Sequence, residues 1–374
     1  MVSKLGFHII EPRRIRAYDQ SVVNSRARVV KVVGGPSELG ILGYHHDKNP
    51  GAIYIARVYP WDKAISDMYA TGATPQQAAE TMYSALAGFV HAAGMGWCWW
   101  ECGPNEPGDV ATDWLDIYYS LLIPRLRAAN IKSVSYNFSV CHPPLEFWPR
   151  LSKSINAIKA AGREWALVGL HQYGLLGSMQ DHAQDGNDAR VLRHRAIPQL
   201  AGVPIVLTEA GLDMPGWQNT NRGVDGYLAD LKWLDYELKK DPNVLGVCLY
   251  TMDMEPGWEP FRIEGDLAVK LFEYITQQNA GIIEVPPPVP QPEPPPTSTG
   301  TIGVKTMASA GQNVRSKPST VTSTNIVGSI EPGETVFIKS EDAASVGYNQ
   351  AWIYVIKTAN APVGGWALAS LLRR

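Results

Sequence analysis

The sequence predicts an α/β protein: a (β/α)8 barrel, then a proline-rich linker, then a small all-β barrel. Three observations lead there. From residue 4 to about 278, apolar strand-like runs alternate with amphipathic helical ones, the pattern of a parallel sheet covered by helices. Eight such units fit into roughly 280 residues, close to the ~250 that a barrel of this kind takes. After residue 285 the composition changes twice, first to proline and then to short β-type runs broken by Gly and Pro. A doubly wound open sheet also accounts for the alternation, but no Gly-x-Gly-x-x-Gly follows the first strand.

The strands read as Lys4 to Ile10, Val29 to Gly34, Ala52 to Tyr59, Trp97 to Cys102, Ile131 to Phe138, Ala166 to Tyr173, Pro204 to Glu209 and Val244 to Tyr250. Between them the clearest helix starts at Thr74-Pro75-Gln76-Gln77, where Thr caps, Pro suits the first helical position and Gln77 completes a capping box. It runs to about His91 and stops near Gly94. Apolar residues at helical spacing predict further helices over Asp113 to Asn130, Leu145 to Ala161, Asp188 to Ala201, Val224 to Lys240 and Leu267 to Gln278. The first two helices read as short or missing, since Asp19 to Arg26 is barely two turns and Pro36 to Pro50 is rich in Gly and loop formers.

These divisions give a first domain over 1–285, a linker over 286–300 and a second domain over 301–374. Eight prolines stand among residues 286 to 296, so the linker favours a polyproline II rod of ~3.1 Å per residue that holds two folded units roughly 30 Å apart. The formal net charge of −3 divides unevenly, but neither part is basic enough to argue for nucleic acid; the tail, with seven basic against four acidic residues, suits a polyanionic surface. Twelve Trp and sixteen Tyr against seven Phe tilt the aromatic set towards flat faces with a polar handle, as sugar-binding clefts use. Cys98, Cys102, Cys141 and Cys248 lie in apolar, strand-like segments and read as buried thiols; a Cys102 to Cys141 bridge stays open if their strands are neighbours. No leader peptide is read at Met1 to Lys4 and no apolar run reaches the ~18 residues of a membrane span, so export calls for another route or an earlier processing step.

Chemistry concentrates at two strand ends. Trp97-Cys98-Trp99-Trp100-Glu101-Cys102 breaks at Gly103-Pro104 and delivers Asn105-Glu106-Pro107. Val203-Pro204-Ile205-Val206-Leu207-Thr208-Glu209-Ala210-Gly211 buries an apolar strand that ends in an acidic residue, which is costly unless the charge faces a polar cleft. Strict alternation puts Ile205, Leu207 and Glu209 on one face, taken here as inward, at the carboxyl end of the seventh strand where barrel active sites lie.

Asn-Glu-Pro after the fourth strand and Thr-Glu-Ala-Gly at the end of the seventh resemble the sites of the clan A retaining glycoside hydrolases with (β/α)8 barrels. The resemblance implies Glu106 as acid/base, Glu209 as nucleophile and Asn105 as a donor to the sugar. It also implies a carbohydrate substrate, with no metal and no organic cofactor. His171 and Tyr173 share a face of the sixth strand, where the family often has a Tyr that hydrogen-bonds the nucleophile. Arg57 is a charge in an otherwise apolar strand and so must be paired; the family's Arg at the nucleophile usually comes from strand two, whereas Arg57 is on strand three. His8 reads equally well as pocket floor or core. Where the family ends its eighth strand with a Trp, this chain has Tyr250, with Trp258 in the following loop. Trp61, Trp100, Trp148 and Trp217 lie on or near strand-to-helix loops and are candidate stacking faces.

In the tail, Asn313-Val314-Arg315-Ser316-Lys317-Pro318-Ser319, Pro332-Gly333, Trp352-Ile353-Tyr354-Val355 and Gly365-Trp366 resemble the bacterial Src-homology-3-type domain. That resemblance implies attachment to bacterial cell wall and an extracellular or wall-associated setting. It leaves two further readings open: a lysin that cuts peptidoglycan glycan strands, and a carbohydrate-binding scaffold that kept the barrel without activity.

Overall fold

The computed structural model describes residues 2–10, 18–174, 178–183, 190–213, 216–252, 257–281 and seven strands between 301 and 373. The chain divides into two compact units, Met1–Pro286 and Pro287–Arg374. In the first, eight parallel strands close into a barrel in sequence order: β1 (Leu5–Ile10), β2 (Val29–Gly34), β3 (Ile53–Val58), β4 (Trp99–Glu101), β5 (Lys132–Phe138), β6 (Ala166–Gly174), β7 (Ile205–Leu212) and β8 (Val244–Leu249). Eight α-helices accompany them among the described residues: α1 (Asp19–Ser25), α2 (Gly40–Lys48), α3 (Tyr59–Ala70), α4 (Pro75–Ala93), α5 (Thr112–Ala128), α6 (Ser152–Ala161), α7 (Gly223–Lys239) and α8 (Gly265–Asn279). α4 starts as its sequence dictates, with the Thr74 hydroxyl accepting from Gln77 N–H and the Gln77 side chain returning to Thr74 N–H at 2.9 Å.

Alternation along the strands sorts side chains into two cores. Val29, Ile55, Trp99, Val134, Leu167, Val206, Leu245 and Cys248 form an apolar plug inside the barrel. Their neighbours in sequence, such as Val30, Trp100, Val168 and Leu207, pack outward against the helices. Two residues further along β1 to β4, the inward positions turn polar: His8 beyond Gly6, Lys31 beyond Val29, Arg57 beyond Ile55, Glu101 beyond Trp99. The plug thus ends where the chemistry begins.

Two strands break the alternation at this level. In β5, Tyr136 pairs with Gly169 and Phe138 with Leu170, so Asn137 is an extra residue; Tyr136 and Asn137 have φ of 80° and 50°. This turns Tyr136 out to bond Ser154 of α6 and leaves Asn137 facing in. In β7, Leu207 pairs with Leu170 and Glu209 with His171, so Thr208 is extra there. The two bulges meet: Thr208 Oγ1 donates to Asn137 Oδ1 at 2.9 Å, across Gly169 of the strand between them. A Cβ on Gly169 would lie 2.1 Å from Asn137 Oδ1, so only glycine leaves room for the link.

Helices depart from expectation more than strands do. The Pro36 to Pro50 stretch holds the nine-residue α2 despite its glycines, and the β3–β4 connection carries the unexpected α3 ahead of α4. The helix expected over Asp188 to Ala201 is replaced, among the described residues, by 3-10 turns at Arg193–Ala196 and Pro198–Leu200. Pro198 withholds the N–H a helix would need, and long-range partners claim the rest: Gln172 Oε1 takes Leu192 N–H at 2.7 Å and Arg193 donates to His142 O at 2.6 Å. No disulfide joins Cys102 and Cys141 although β4 and β5 are neighbours; Cys98, Cys102 and Cys248 are buried as expected whereas Cys141 is only half-buried, and Cys102 Sγ lies 3.4 Å from Val134 O. No helix among the described residues is long and apolar enough to cross a membrane.

The proline-rich linker lies outside the described residues. In the second unit, seven strands β9 (Thr301–Thr306), β10 (Gln312–Arg315), β11 (Ile326–Ile330), β12 (Thr335–Lys339), β13 (Trp352–Ile356), β14 (Gly364–Leu368) and β15 (Leu372–Arg373) form one sheet in the order β11-β10-β14-β13-β12-β9-β15, with antiparallel pairing throughout.

Gly169→Ala forces Asn137 away from Thr208 and lowers stability by about 1–3 kcal/mol in denaturant unfolding. Asn137→Gly keeps the positive φ and removes the obstruction, so the double variant recovers part of that loss; strictly additive losses would contradict the link across β6.

Candidate active site

A cleft of about 390 Å³ opens at the carboxyl ends of the barrel strands. His8, Arg57, Glu106, Tyr173, Glu209 and Tyr250 are among its lining residues. Without the Thr208 bulge the site would not exist. Val206 faces the plug, and strict alternation from it would turn Glu209 towards the helices. The expected inward face of Ile205 and Leu207 is therefore corrected: both pack outward, and the extra residue brings Glu209 back in line with His171.

Four groups lie within 3.6 Å of the buried Glu209 carboxylate. Tyr173 donates to Oε2 at 2.9 Å, and Lys31 Nζ donates to Oε1 at 3.2 Å. His8 Nε2 is 3.5 Å from Oε1 and His171 Nδ1 is 3.6 Å from Oε2. Burial by itself favours the neutral acid. Attraction to His171 and Lys31, with the His8 contact, outweighs it and holds the carboxyl well below the usual carboxylate range, so Glu209 is ionised. Burial, with Lys31 nearby, depresses His8 to about 4, which leaves it neutral at pH 7. Burial and the Glu209 charge push the Tyr173 phenol well above its ordinary range, so it remains a donor.

Lys31 is fully buried and shared, with Nζ 2.9 Å from Glu101 Oε1 as well as 3.2 Å from Glu209. An ammonium without water costs several kcal/mol unless paired, and two buried carboxylates supply the pairing. The strand-two cation beside Glu209 is thus a lysine. Arg57, expected in that capacity, sits at the cleft edge with Nε on Asp62 Oδ2 at 2.6 Å and Nη1 3.9 Å from Glu209 Oε1.

Glu106 faces Glu209 from the β4–α5 loop. Its backbone has φ of 48°, a left-handed conformation unusual for a residue with a side chain, and its N–H donates to Asn137 O at 3.1 Å. Asn137 therefore ties both carboxylates, Glu106 through its main chain and Glu209 through Thr208. His171 Nδ1 lies 2.8 Å from Glu106 Oε1, between the two acids. One oxygen of each acid and the His171 nitrogen all lie within 4.8 Å of one another. Two carboxylates and a histidine at this spacing suit proton transfer and nucleophilic attack. They are also a donor set for a divalent ion, although Lys31 already supplies positive charge to Glu209.

Of the other expected residues, Asn105 lines the cleft beside Glu106. Tyr250 and Trp258 also line it, their rings edge to face at 6.3 Å, and Trp258 is 45% exposed. Four tryptophans are elsewhere. Trp100 alternates with the inward Trp99 and Glu101, so it points outward and packs, fully buried, against Trp61 and Phe89. Trp148 is buried against Phe138. Trp217 stacks on Tyr227 of α7 and spends its indole N–H on Arg262 O at 3.1 Å. None of these is a face of the cleft. Sequence reasoning missed Lys31, Glu101, Asn137 and Asp213, the last lining the cleft and paired with Arg190. Lys31 had a signal, a lone charge inside Val29-Val30-Lys31-Val32-Val33.

Comparison with protein-family models gives no match, and neither does comparison with the curated proteins. Solved structures give matches. The chain is similar to the β-mannanase of Thermomonospora fusca, at 16% identity over 76% of this chain and 93% of that one, with a TM-score of 0.48. It is similar to the endo-β-1,4-mannanase of Thermotoga petrophila, at 15% over 76% and 80%, with a TM-score of 0.49. It is similar to the β-glucuronidase of Ruminococcus gnavus, at 13% over 73% and 50%, with a TM-score of 0.51. At 13% identity this last likeness establishes a shared fold.

Lys31→Met keeps most of the volume and removes the cation that Glu101 and Glu209 share, weakening the compensation of both. Stability at pH 7 falls by about 3–5 kcal/mol in denaturant unfolding. A depressed carboxyl contributes stability that is complete above its unfolded value and lost as pH falls through its folded value, so the gap between variant and wild type narrows in acid. An unchanged midpoint at pH 7 would contradict the shared ion pair.

Proposed function

We propose that the barrel is a retaining glycoside hydrolase that acts on a poly- or oligosaccharide by double displacement. The observation that carries this is the pairing of an ionised, buried Glu209 with a solvent-facing Glu106, one oxygen of each within 4.8 Å, at the mouth of a cleft. Retaining enzymes hold their two carboxyl groups about 5–5.5 Å apart, whereas inverting ones leave roughly 6.5–9.5 Å for a water.

In the first step a Glu209 oxygen attacks the anomeric carbon while Glu106 gives its proton to the departing glycosidic oxygen; the C–O bond breaks and a glycosyl ester forms on Glu209. In the second, Glu106 takes a proton from water, the hydroxide attacks the same carbon, and Glu209 leaves as carboxylate. Tyr173 and Lys31 stabilise Glu209 as it departs, and His171 orients Glu106. Trp258 and Tyr250 offer faces to the sugar held over Glu209.

The C-terminal sheet, from its sequence resemblance, is proposed to attach the barrel to bacterial cell wall, which brings peptidoglycan glycan strands into the substrate panel. Hydrolysis is tested on mannan, cello-, xylo- and chito-oligosaccharides and peptidoglycan, read as new reducing ends. With the responding substrate or its activated aryl glycoside, Glu209→Ala lowers kcat by at least 10³-fold, on the order expected for loss of a covalent nucleophile. Azide restores turnover and gives a glycosyl azide of inverted anomeric configuration. Near wild-type activity in the variant would remove Glu209 from the mechanism; glycan binding without hydrolysis by the wild type would leave a binding protein.

A further inference from the structure

A second cleft, of about 230 Å³, lies against α3 and α5 beside the first. The two share only Asn105 and Glu106. Ser66 and Tyr69 of α3, Gly108 of the β4–α5 loop and Trp114 of α5 make up much of the remaining wall, and Glu106 is the one charged residue that lines it. The wall exists because the β3–β4 connection carries α3 in addition to α4.

Its aromatic side is rigid. Trp114 donates its indole N–H to Ala73 O at 3.0 Å, stacks on Tyr118 with ring centroids 5.2 Å apart and an interplanar angle of 15°, and meets Tyr69 edge on at 5.4 Å. Tyr69 and Trp114 are both half-buried, which leaves part of each ring towards the cleft. Fixed rings, uncharged walls and a single carboxyl group suit a neutral ring with one apolar face and several hydroxyls. The volume is below the ~300–1,000 Å³ of sites for drug-sized ligands, so one ring fits rather than a chain.

We propose that this second cleft is the leaving-group site, taking the uncharged sugar residue whose glycosidic oxygen receives the Glu106 proton, with the apolar face of that sugar against Tyr69 and Trp114. The inference rests on the hydrolase reading above. A proton donor must touch the departing oxygen, so the departing sugar lies on the Glu106 side of the scissile bond while the retained sugar lies over Glu209. The first cleft holds Glu209, His8 and Tyr250; the second adjoins Glu106 and none of these. Binding energy from a sugar in the second cleft would be spent on orienting the bond to be cut, so substrates that lack that sugar forfeit it.

Filling the cleft from opposite walls tests this. Gly108 has φ of −69° and nothing within 4 Å of a built Cβ, so Gly108→Trp enters without backbone strain. Ser66 spends its hydroxyl on Asp62 O of its own helix, so Ser66→Trp breaks no tertiary bond. Each variant, checked for fold by thermal unfolding, is assayed on the oligosaccharide that the wild type cuts fastest and on the 4-nitrophenyl glycoside of the same retained sugar. The expected result is a fall in kcat/KM of tenfold or more on the oligosaccharide and less than threefold on the nitrophenyl glycoside, for at least one folded variant. Equal falls on both substrates, or no fall on the oligosaccharide, overturn this inference alone. Failure of the wild type to cut either substrate overturns the hydrolase reading, and this inference with it.

Discussion

The hydrogen bond from Thr208 to Asn137, made across a glycine of the intervening strand, is the constraint on which the site depends. Each partner is the extra residue of a bulge, and each bulge shifts which side chains face the barrel interior. One brings Glu209 inward. The other places Asn137 where its main-chain carbonyl takes the N–H of Glu106. A single buried asparagine thus fixes two carboxylates relative to each other, the strand-borne Glu209 through its side chain and the loop-borne Glu106 through its main chain. The left-handed backbone at Glu106 is held by the same contact, which is how a strained conformation persists at a loop end.

Charge in the site follows from the same layer. The apolar plug ends after one ring of residues, and the next inward positions on β1, β2, β3 and β4 are His8, Lys31, Arg57 and Glu101. Each would be costly alone; together they neutralise one another and leave Glu209 ionised in a dry setting. Lys31 serves two masters, Glu101 at 2.9 Å and Glu209 at 3.2 Å. Under the proposed mechanism Glu209 would give up its charge to a glycosyl ester while Glu101 still compensates the ammonium, so the core would tolerate both the resting and the covalent state.

Much of this was legible in the chain. Strand positions followed from apolar runs because a barrel strand is buried on both faces, and the two acids followed from charges at strand ends. The face of Glu209 was reached for the wrong reason: Ile205 and Leu207 point out, and only a bulge reconciles them with an inward glutamate. Bulges arise from pairing with neighbours, and nothing within Thr208-Glu209 or Tyr136-Asn137-Phe138 announces one. Trp100 misled because residue type was read before alternation, although Glu101 next to it carried the functional polarity. Lys31 was readable by the test applied to Arg57, a lone charge among valines. The helix lost around Pro198 and the helix gained at Tyr59 both reflect tertiary demands that override a local pattern.

The central claim is that Glu106 and Glu209 form a retaining pair, and the most direct measurement of it is the stereochemistry of the first product. Proton NMR of the anomeric signal during the opening minutes of hydrolysis, before mutarotation, distinguishes the outcomes. The geometry predicts a first product with the anomeric configuration of the substrate. A first product of opposite configuration would mean direct attack by water, and would contradict Glu209 as nucleophile.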